Sequence, residues 1–405
     1  MFSQHNCKMP YAMIRHLRRS VFFSKQLRKE STMTNLTLEE YDFQPPFTQW
    51  SKVIKEAEKI VGYPTSFMNL RWLLSDEFAN LALHLRKIVG SNHPIMKTAK
   101  SVLYNEHNNL QPWGLIILLL SKAVSSTSLD SNTVAEQQRM LAELTEMIRT
   151  GHYIHRGLLN IPQKERENAS ESLFANKIAI LIGDYLLVTA NGMLARLKNQ
   201  DLSYLISTAL RDLSEGEFFG PRDEQNMPLP SKPNRLDVDD FRISCETLPL
   251  ATKDVLGSPV KEWTLRTLYS GGTLFGRACE GAVYLAGKSV EKQKEAFLFG
   301  CHLCLSWQAA SDLKKFSVNN NKPYSLVSAP VLFGIDHSPQ LFDRLQNIRN
   351  INQINFTQLR EDILKTDAID HTKSLCTEHA DKARNYVELF GNNESIQTIK
   401  RLIRS

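Results

Sequence analysis

Residues 174 to 187 read Phe-Ala-Asn-Lys-Ile-Ala-Ile-Leu-Ile-Gly-Asp-Tyr-Leu-Leu, and this stretch predicts a helix that continues to about residue 197. Helices are also predicted on both sides of it, over about residues 132 to 155 and 202 to 213. Residues 112 to 124 are nearly all apolar, which predicts a central helix that is buried on all sides. No run of alternating β-branched residues persists along the chain, so the predicted fold class is all-α.

The rest of the chain extends this helical pattern. A cluster of prolines between about residues 220 and 260 predicts an extended loop or insertion. Residues 41 to 405 are therefore predicted to form one helical domain that carries this loop. The further predicted helices begin near residue 51 and cover about residues 73 to 89, 94 to 104, 261 to 288 and 290 to 314, with three or four more between residues 339 and 403.

The first 40 residues have a different composition. Basic residues such as Arg15, Arg18, Arg19 and Lys25 all precede Glu30, the first acidic residue, and apolar residues lie among them. A basic, acid-free, amphipathic start is typical of a mitochondrial transit peptide. Residues 1 to 40 are therefore predicted to be a transit peptide and linker, which would direct the chain to the mitochondrial matrix; a disordered basic tail is the alternative.

Composition excludes several classes of protein. The net charge of +6 over 405 residues is small and lies partly at the N-terminus, so no nucleic-acid partner is predicted. No apolar stretch reaches the roughly 18 residues that span a bilayer, so no transmembrane segment is predicted. The cysteines are sparse and irregular, as in a reducing compartment. Cys301 and Cys304 form a lone C-x-x-C without the second pair that a zinc site requires, so both are predicted to be buried thiols.

Two stretches resemble the polyprenyl diphosphate synthases, the trans-prenyltransferase family. Glu143-Leu-Thr-Glu-Met-Ile-Arg-Thr-Gly-His-Tyr-Ile-His155, followed by the stretch at residues 174 to 187, is similar to the family's E-x-I-H-x-x-x-x-x-H-D-D and G-N-K-x-A-x-L-x-G-D-[FY]-L-L patterns. Phe299-Gly-Cys-His-Leu-Cys-Leu-Ser-Trp-Gln308 is similar to the helix that ends in F-Q-x-x-D-D-x-x-D. The resemblance covers about residues 50 to 400. It implies an isoprenoid-synthase-type helical bundle around a central apolar cavity.

The resemblance also implies a reaction and its cofactor. The family joins isopentenyl diphosphate to an allylic diphosphate, whose diphosphate leaves as an anion while magnesium ions neutralise the developing charge. Magnesium prefers oxygen ligands, and aspartates at positions i, i+1 and i+4 place carboxylates one turn apart on one helix face. In the family, two such motifs face each other across the cavity and clamp the diphosphate.

Both motifs are degenerate in this chain. The first reads Arg156-Gly-Leu-Leu-Asn160 and has lost every aspartate, while the second reads Ser311-Asp-Leu-Lys-Lys315 and retains only Asp312. The family's G-K-x-x-R-P loop aligns with residues 107 to 112, where only the proline survives, and its Lys-Thr pair aligns with Gly272-Thr273. We therefore assign no catalytic or metal-binding residue and no cofactor to this chain, and we expect Mg²⁺ on a catalytic partner.

Four residues survive from the family's motifs: Lys177, Asp184, Gln308 and Asp312. They could retain some ligand binding, or they could satisfy one another and stabilise helix contacts inside the bundle, because buried charges need partners. We favour the second interpretation. Two further groups are interpreted as structural: His152 and His155 as packing residues, and the aspartates at 237, 239 and 240 as a solvated acidic turn.

A scaffold that keeps its helices and loses its metal ligands resembles the non-catalytic second subunit of the heteromeric decaprenyl and solanesyl diphosphate synthases. That resemblance implies a heterotetramer with an aspartate-rich catalytic subunit that makes the ubiquinone side chain, and an isolated chain without activity. Two alternatives stay open. The chain could be a carrier that binds a polyprenyl chain or an isoprenoid diphosphate, or an independent prenyltransferase with altered metal ligation.

Overall fold

The computed structural model describes residues 47–63, 112–125, 131–234, 243, 255–317, 323–346, 348 and 350–403, all within the compact unit Phe43–Ser405. Several predictions lie outside the described residues. They are the transit peptide, the helices at 73 to 89 and 94 to 104, most of the loop at 107 to 112, and the acidic turn at 237 to 240.

The described residues form α-helices and contain no β-strand, only one isolated bridge between Arg222 and Pro228. The predicted all-α class is confirmed. The helices are α1 (Phe47–Val61), α2 (Trp113–Val124), α3 (Ser131–Arg156), α4 (Ser170–Arg196), α5 (Gln200–Gly216), α6 (Pro259–Thr267), α7 (Thr273–Leu285), α8 (Val290–Ser317), α9 (Ala329–His337), α10 (Pro339–Leu345), α11 (Phe356–Leu364), α12 (Ala368–Glu388) and α13 (Glu394–Leu402).

Helix α2 is the centre of the bundle, as its apolar sequence predicts. Every residue of it except Lys122 and Ala123 is buried, and α3, α7 and α13 lie against it. Helix α8 packs between α7 and α12, and α3 packs along α4. These helices share one large apolar core, and a smaller core lies among α9, α10 and α11.

The helix predicted over residues 261 to 288 is interrupted. Residues Leu268–Gly272 form a π-helical turn between α6 and α7, and Gly271 adopts a φ of 148° that side chains other than glycine rarely adopt. A Cβ atom on Gly271 would lie 2.7 Å from the ring of Trp113 in α2. The break therefore depends on a contact with a distant part of the chain, which local periodicity does not report.

Helix α9 was not among the predicted helices. Ser328 precedes it and Pro330 lies in its first turn, where proline is favoured because the first amides of a helix have no partner. The helix has 9 residues and most of them are buried. A short segment that is apolar on all sides shows no amphipathic period.

Between α5 and α6 the chain is irregular, and residues 217–234 and 255–258 are its described parts. This segment includes the beginning of the predicted proline-rich loop. Residues 222 to 228 form a tight reversal in which Asp223 Oδ1 accepts hydrogen bonds from the backbone N–H groups of Gln225 (2.9 Å) and Met227 (2.8 Å). This reversal brings the segment back towards the end of α3.

Helix α4 is long and apolar enough to cross a membrane, judged by length and composition alone. The mean hydropathy of its most apolar 18-residue window is 1.7, and 44% of that window is buried inside the protein. The same composition is found in core helices of soluble proteins. The expected absence of a transmembrane segment therefore stays a prediction.

Candidate functional site

Arg156, at the first position of the degenerate first motif, is the last residue of α3 and forms an ion pair. Its Nε atom lies 3.2 Å from Glu217 Oε1, just beyond the end of α5. Glu217 Oε2 in turn lies 3.4 Å from Arg222 Nη1. Arg222 also donates hydrogen bonds to the carbonyl oxygens of Gly216 (2.7 Å) and Asn226 (2.8 Å). One carboxylate therefore bridges two guanidinium groups where the family places aspartates and magnesium.

His152 lies one turn before Arg156 and faces the same carboxylate, with its Nε2 atom 3.6 Å from Glu217 Oε1. Burial first, and then the charges of Arg156 and His155, lower the pKa of His152 to about 4. The imidazole is therefore neutral at physiological pH. The contact between His152 and Glu217 is therefore polar but is not an ion pair.

Asn160, at the last position of the first motif, is held by a reciprocal pair of hydrogen bonds. Its backbone N–H donates to Gln225 Oε1 (3.1 Å), and Gln225 Nε2 donates back to the carbonyl oxygen of Asn160 (2.9 Å). The Asn160 side chain also donates to the carbonyl oxygen of Glu224. Arg156 and Asn160 thus both bind the segment 217–228, and this tether joins the end of α3 to the reversal after α5.

The surviving aspartate of the second motif is turned into the protein. Asp312 on α8 is 1% exposed and accepts hydrogen bonds from Trp263 Nε1 (3.0 Å), the backbone N–H of Ala329 (3.1 Å) and Gln308 Nε2 (2.8 Å). Burial raises the pKa of Asp312, and Lys315 and the three donors oppose that rise. The other two positions of the motif hold Ser311, which is half-buried, and Lys315, which is exposed. The motif therefore has no second carboxylate.

Behind Trp263 lies a neutral pair of buried histidines. His302 Nδ1 on α8 and His379 Nδ1 on α12 are 2.9 Å apart, so one ring donates a hydrogen bond to the other. Burial lowers the pKa of His302 to about 3 and that of His379 to about 4. The ring of His379 stacks on Trp263 with 6.2 Å between centroids. On the Trp263 side, the surroundings of Asp312 are therefore packed and its nearby histidines are neutral.

These two positions do not fit magnesium. Among the described residues, no group of three or more His, Cys, Asp or Glu side chains could hold a metal ion. Glu217 already bridges Arg156 and Arg222, and Asp312 is enclosed by protein donors. Magnesium prefers oxygen ligands that are free to coordinate it, and at neither position is the carboxylate free of protein partners.

The remaining surviving motif residues lie on α4, away from Gln308 and Asp312. Asp184 Oδ1 is 3.4 Å from His155 Nε2 of α3, while Lys177 is exposed on the same outward face of α4. The two helices cross closely beside this contact. A Cβ atom on Gly183 would lie 2.1 Å from His155 Nε2, and one on Gly151 would lie 3.1 Å from the carbonyl oxygen of Gly183.

A column of aromatic rings fills the space between α2, α7 and α8. Trp113 stacks on Phe275 with 4.9 Å between ring centroids, and Phe275 stacks on Trp307 at 6.1 Å. The Arg149 guanidinium lies 4.1 Å from the centre of the Trp113 ring and 3.7 Å from Glu146 Oε2. Glu146 Oε1 accepts a hydrogen bond of 2.8 Å from the backbone N–H of Gly114. This part of the bundle interior is packed.

Sequence reasoning missed Glu217, Arg222, Gln225 and Trp263. Arg156 in place of an aspartate indicates that a counter-charge is needed, because a partly buried guanidinium requires an acceptor. The position of that acceptor, however, depends on how the irregular segment after α5 folds back. No motif marks it.

No family model matches the chain. The chain is nevertheless similar to two curated proteins named All trans-polyprenyl-diphosphate synthase PDSS2. It is 33% identical over 373 residues to the one from Rattus norvegicus, covering 87% of this chain and 86% of the relative, and 33% identical over 372 residues to the one from Homo sapiens, with the same coverage. It is also 24% identical to the mitochondrial hexaprenyl pyrophosphate synthase of Saccharomyces cerevisiae, over 83% of this chain and 89% of that one.

Solved structures show the same fold. The heptaprenyl diphosphate synthase from Staphylococcus aureus superposes with a TM-score of 0.56 at 15% identity, covering 88% of this chain and 96% of that chain. A decaprenyl diphosphate synthase from Rhodobacter capsulatus superposes with a TM-score of 0.54 at 17% identity, covering 84% and 97%. The helical bundle is therefore of the isoprenoid-synthase type, as the motif resemblance implies.

Proposed function

The chain belongs to the polyprenyl diphosphate synthase family, and we propose that it is the non-catalytic subunit of a heteromeric trans-polyprenyl diphosphate synthase. One observation carries the proposal: the residues at both metal-motif positions bind the protein itself. Arg156 and Asn160 tether α3 to the segment 217–228, and Asp312 joins α6, α8 and α9.

The reaction of the complex follows from the family. The catalytic partner would bind Mg²⁺ and join isopentenyl diphosphate to an allylic diphosphate, and the product would supply the ubiquinone side chain. The proposed assembly is a heterotetramer of two subunits of each kind. Relatives named as mitochondrial synthases, together with the basic, acid-free N-terminal segment, support a location in the mitochondrial matrix.

The geometry supports the proposal that the isolated chain does not catalyse this reaction. Loss of the allylic diphosphate requires concentrated positive charge beside its oxygens, which the family supplies with clamped metal ions. In this chain Glu217 offsets one of the two charges of Arg156 and Arg222 and holds both guanidinium groups in ion pairs, and Asp312 of the second motif is enclosed by protein donors. The chain would act instead as a rigid surface that stabilises the partner's active form.

The aromatic column bears on the carrier alternative. A carrier would need an open apolar interior for a polyprenyl chain, and the stacked rings of Trp113, Phe275 and Trp307 occupy the space between three central helices. This packing favours the subunit proposal over the carrier.

The test is incorporation of isopentenyl diphosphate into long polyprenyl products. This chain alone, the aspartate-rich catalytic subunit alone and the two co-expressed are compared at saturating Mg²⁺. We expect product from the co-expressed pair and none from this chain alone. Turnover by the isolated chain would contradict the proposal and favour the independent enzyme. Activity of the catalytic subunit that does not change in the presence of this chain would contradict it as well.

A further inference from the structure

Helix α1 presents a row of lysines to solvent. Between residues 52 and 61 its exposed residues are Lys52, Lys55 and Lys59, and every other residue of that range is buried or half-buried. At spacings of three and four residues these lysines lie within about 60° of one another around the helix and within about 10 Å along it. This group of three is the lysine row. The opposite face of α1 is apolar and packs in the main core against α2 and α13.

The positive charge of the lysine row is not compensated by the protein. Among the described residues, none of the three lysines forms an ion pair or a side-chain hydrogen bond. The two acidic residues of α1, Glu56 and Glu58, flank the row and are half-buried. Glu56 is already paired, because its Oε2 atom lies 2.9 Å from Arg401 Nη1 of α13. A further lysine, Lys122 of α2, donates a hydrogen bond to the carbonyl oxygen of Ile60 at the end of α1. The outward face of α1 therefore carries free positive charge.

The chemistry of the lysine row fits a surface that offers many interchangeable anions. A lysine ammonium group is a compact and strongly hydrated point charge, whereas arginine supplies the fixed fork that recognises one defined phosphate or carboxylate. The row lies on the convex side of a helix, and no exposed apolar side chain interrupts it. Anionic phospholipid headgroups attract basic segments in this way, without insertion of the protein into the hydrocarbon.

We propose that the lysine row docks this protein on an anionic phospholipid membrane, with α1 lying along the surface and its ammonium groups beside the lipid phosphates. The inference rests on the proposed function for its purpose. The product of the proposed complex carries a long hydrocarbon chain, which leaves water for a bilayer. A non-catalytic subunit that docks in this way would hold the active subunit beside the membrane that receives the product. The contact is weak and reversible, because three lysines without an apolar anchor are screened by salt.

The test is binding to lipid vesicles. Vesicles of phosphatidylcholine with and without phosphatidylglycerol are sedimented with this chain, and the bound fraction is measured at low and at high salt. The variant combines Lys52→Gln, Lys55→Gln and Lys59→Gln. Residues 1–40 are basic and can bind anionic lipid themselves. Each protein is therefore measured both as the full chain and as a chain that begins at residue 41, which keeps the whole compact unit Phe43–Ser405.

The matched control removes the same charge elsewhere. It combines Lys164→Gln, Lys198→Gln and Lys232→Gln, three exposed lysines in three other segments of the chain. Unfolding curves of both variants report any loss of fold. All six substitutions are at exposed side chains, so both variants are expected to fold as the wild type does.

The lysine-row variant is expected to bind phosphatidylglycerol vesicles roughly a hundredfold more weakly than the wild type, which is about fivefold for each lysine. High salt is expected to release the wild type, and the control variant is expected to bind as the wild type does. Equal binding by the lysine-row variant and the wild type would overturn the inference. Equal binding of the wild type to pure phosphatidylcholine, or equal weakening by the control variant, would overturn it as well.

An acidic surface of the catalytic subunit is the competing occupant of the lysine row. A lysine-row variant that loses association with that subunit and still binds vesicles would assign the row to the protein partner and overturn the membrane proposal. Product formation by the pair in vesicle-free solution is expected to be the same with the wild type and with the variant. A wild-type pair that makes no product would overturn the proposed function, whereas vesicle binding is measured on this chain alone and is judged separately.

Discussion

Glu217 is the residue on which the degenerate first motif depends. It forms ion pairs with Arg156 at 3.2 Å and with Arg222 at 3.4 Å, so its removal leaves two guanidinium groups facing each other without a counter-charge. Removal of Arg156 breaks only one of these pairs. The free energy of unfolding should therefore respond more to a change at Glu217 than to a change at Arg156.

We expect Glu217→Gln to lower the free energy of unfolding by about 1 to 2 kcal/mol, and Arg156→Gln by about half of that, since these partly exposed pairs are screened by water. Urea unfolding at neutral pH measures both. The control is Glu388→Gln, which breaks the surface ion pair with Lys400 and should change stability very little. An equal or smaller effect at Glu217 than at Arg156 would show that the bridge does not stabilise the fold.

At this scale the sequence predicted what is absent from the site better than what replaced it. The loss of aspartates at positions 156 and 160 is visible in the motif, and so is the single survivor Asp312. The sequence does not show that Asp312 accepts hydrogen bonds from Trp263 and from the backbone of Ala329, because those donors come from other helices. Pairing of polar groups across helices needs the tertiary arrangement.

Among the elements, the close crossing of α7 and α8 gives the sharpest test of the packing. A Cβ atom on Gly300 of α8 would lie 2.8 Å from the Cα atom of Gly276 on α7 and 3.1 Å from the carbonyl oxygen of Phe275. Backbone atoms cannot rotate out of the way as a side chain can. An added methyl group must therefore push the two helices apart.

We expect Gly300→Ala to destabilise the protein by about 2 to 3 kcal/mol, the range for overpacking a tight core. Gly192→Ala on α4 is the matched control, because no atom lies within 4 Å of its added Cβ. It should stabilise the helix by about 0.5 to 1 kcal/mol through helix propensity. Thermal unfolding of both variants checks the prediction. A Gly300→Ala variant as stable as the wild type would mean that α7 and α8 pack less closely than described.

The helices show which parts of a fold local sequence can predict. The ends of α3, α4, α5 and α8 lie within four residues of their predicted positions, because each is long and its apolar pattern is sustained. The π-helical break before α7 was missed because it depends on Trp113 approaching Gly271. Helix α9 was missed because a short and mostly buried helix has no regular polar face that would reveal its period.

For the whole molecule, the question is whether the lost aspartates would by themselves account for the proposed inactivity of the isolated chain. If they did, restoring them would give an active enzyme. Two features of the structure argue against that outcome. Arg222, Glu217 and Gln225 hold the end of α3 against the segment 217–228, and the column of Trp113, Phe275 and Trp307 fills the interior beside α2.

We therefore expect a chain with both motifs restored, Arg156→Asp, Gly157→Asp, Asn160→Asp, Ser311→Asp and Lys315→Asp together, to remain inactive alone at any Mg²⁺ concentration. Repulsion between Glu217 and the carboxylate introduced at position 156 should also lower its free energy of unfolding, because Arg156 Nε lies only 3.2 Å from Glu217 Oε1 in the native chain. Incorporation of isopentenyl diphosphate by the isolated variant is the measurement. Its circular dichroism spectrum and its association with the catalytic subunit establish that it is folded. Mg²⁺-dependent turnover by this variant would show that the scaffold has kept a working cavity and that the subunit lost its chemistry through the aspartates alone.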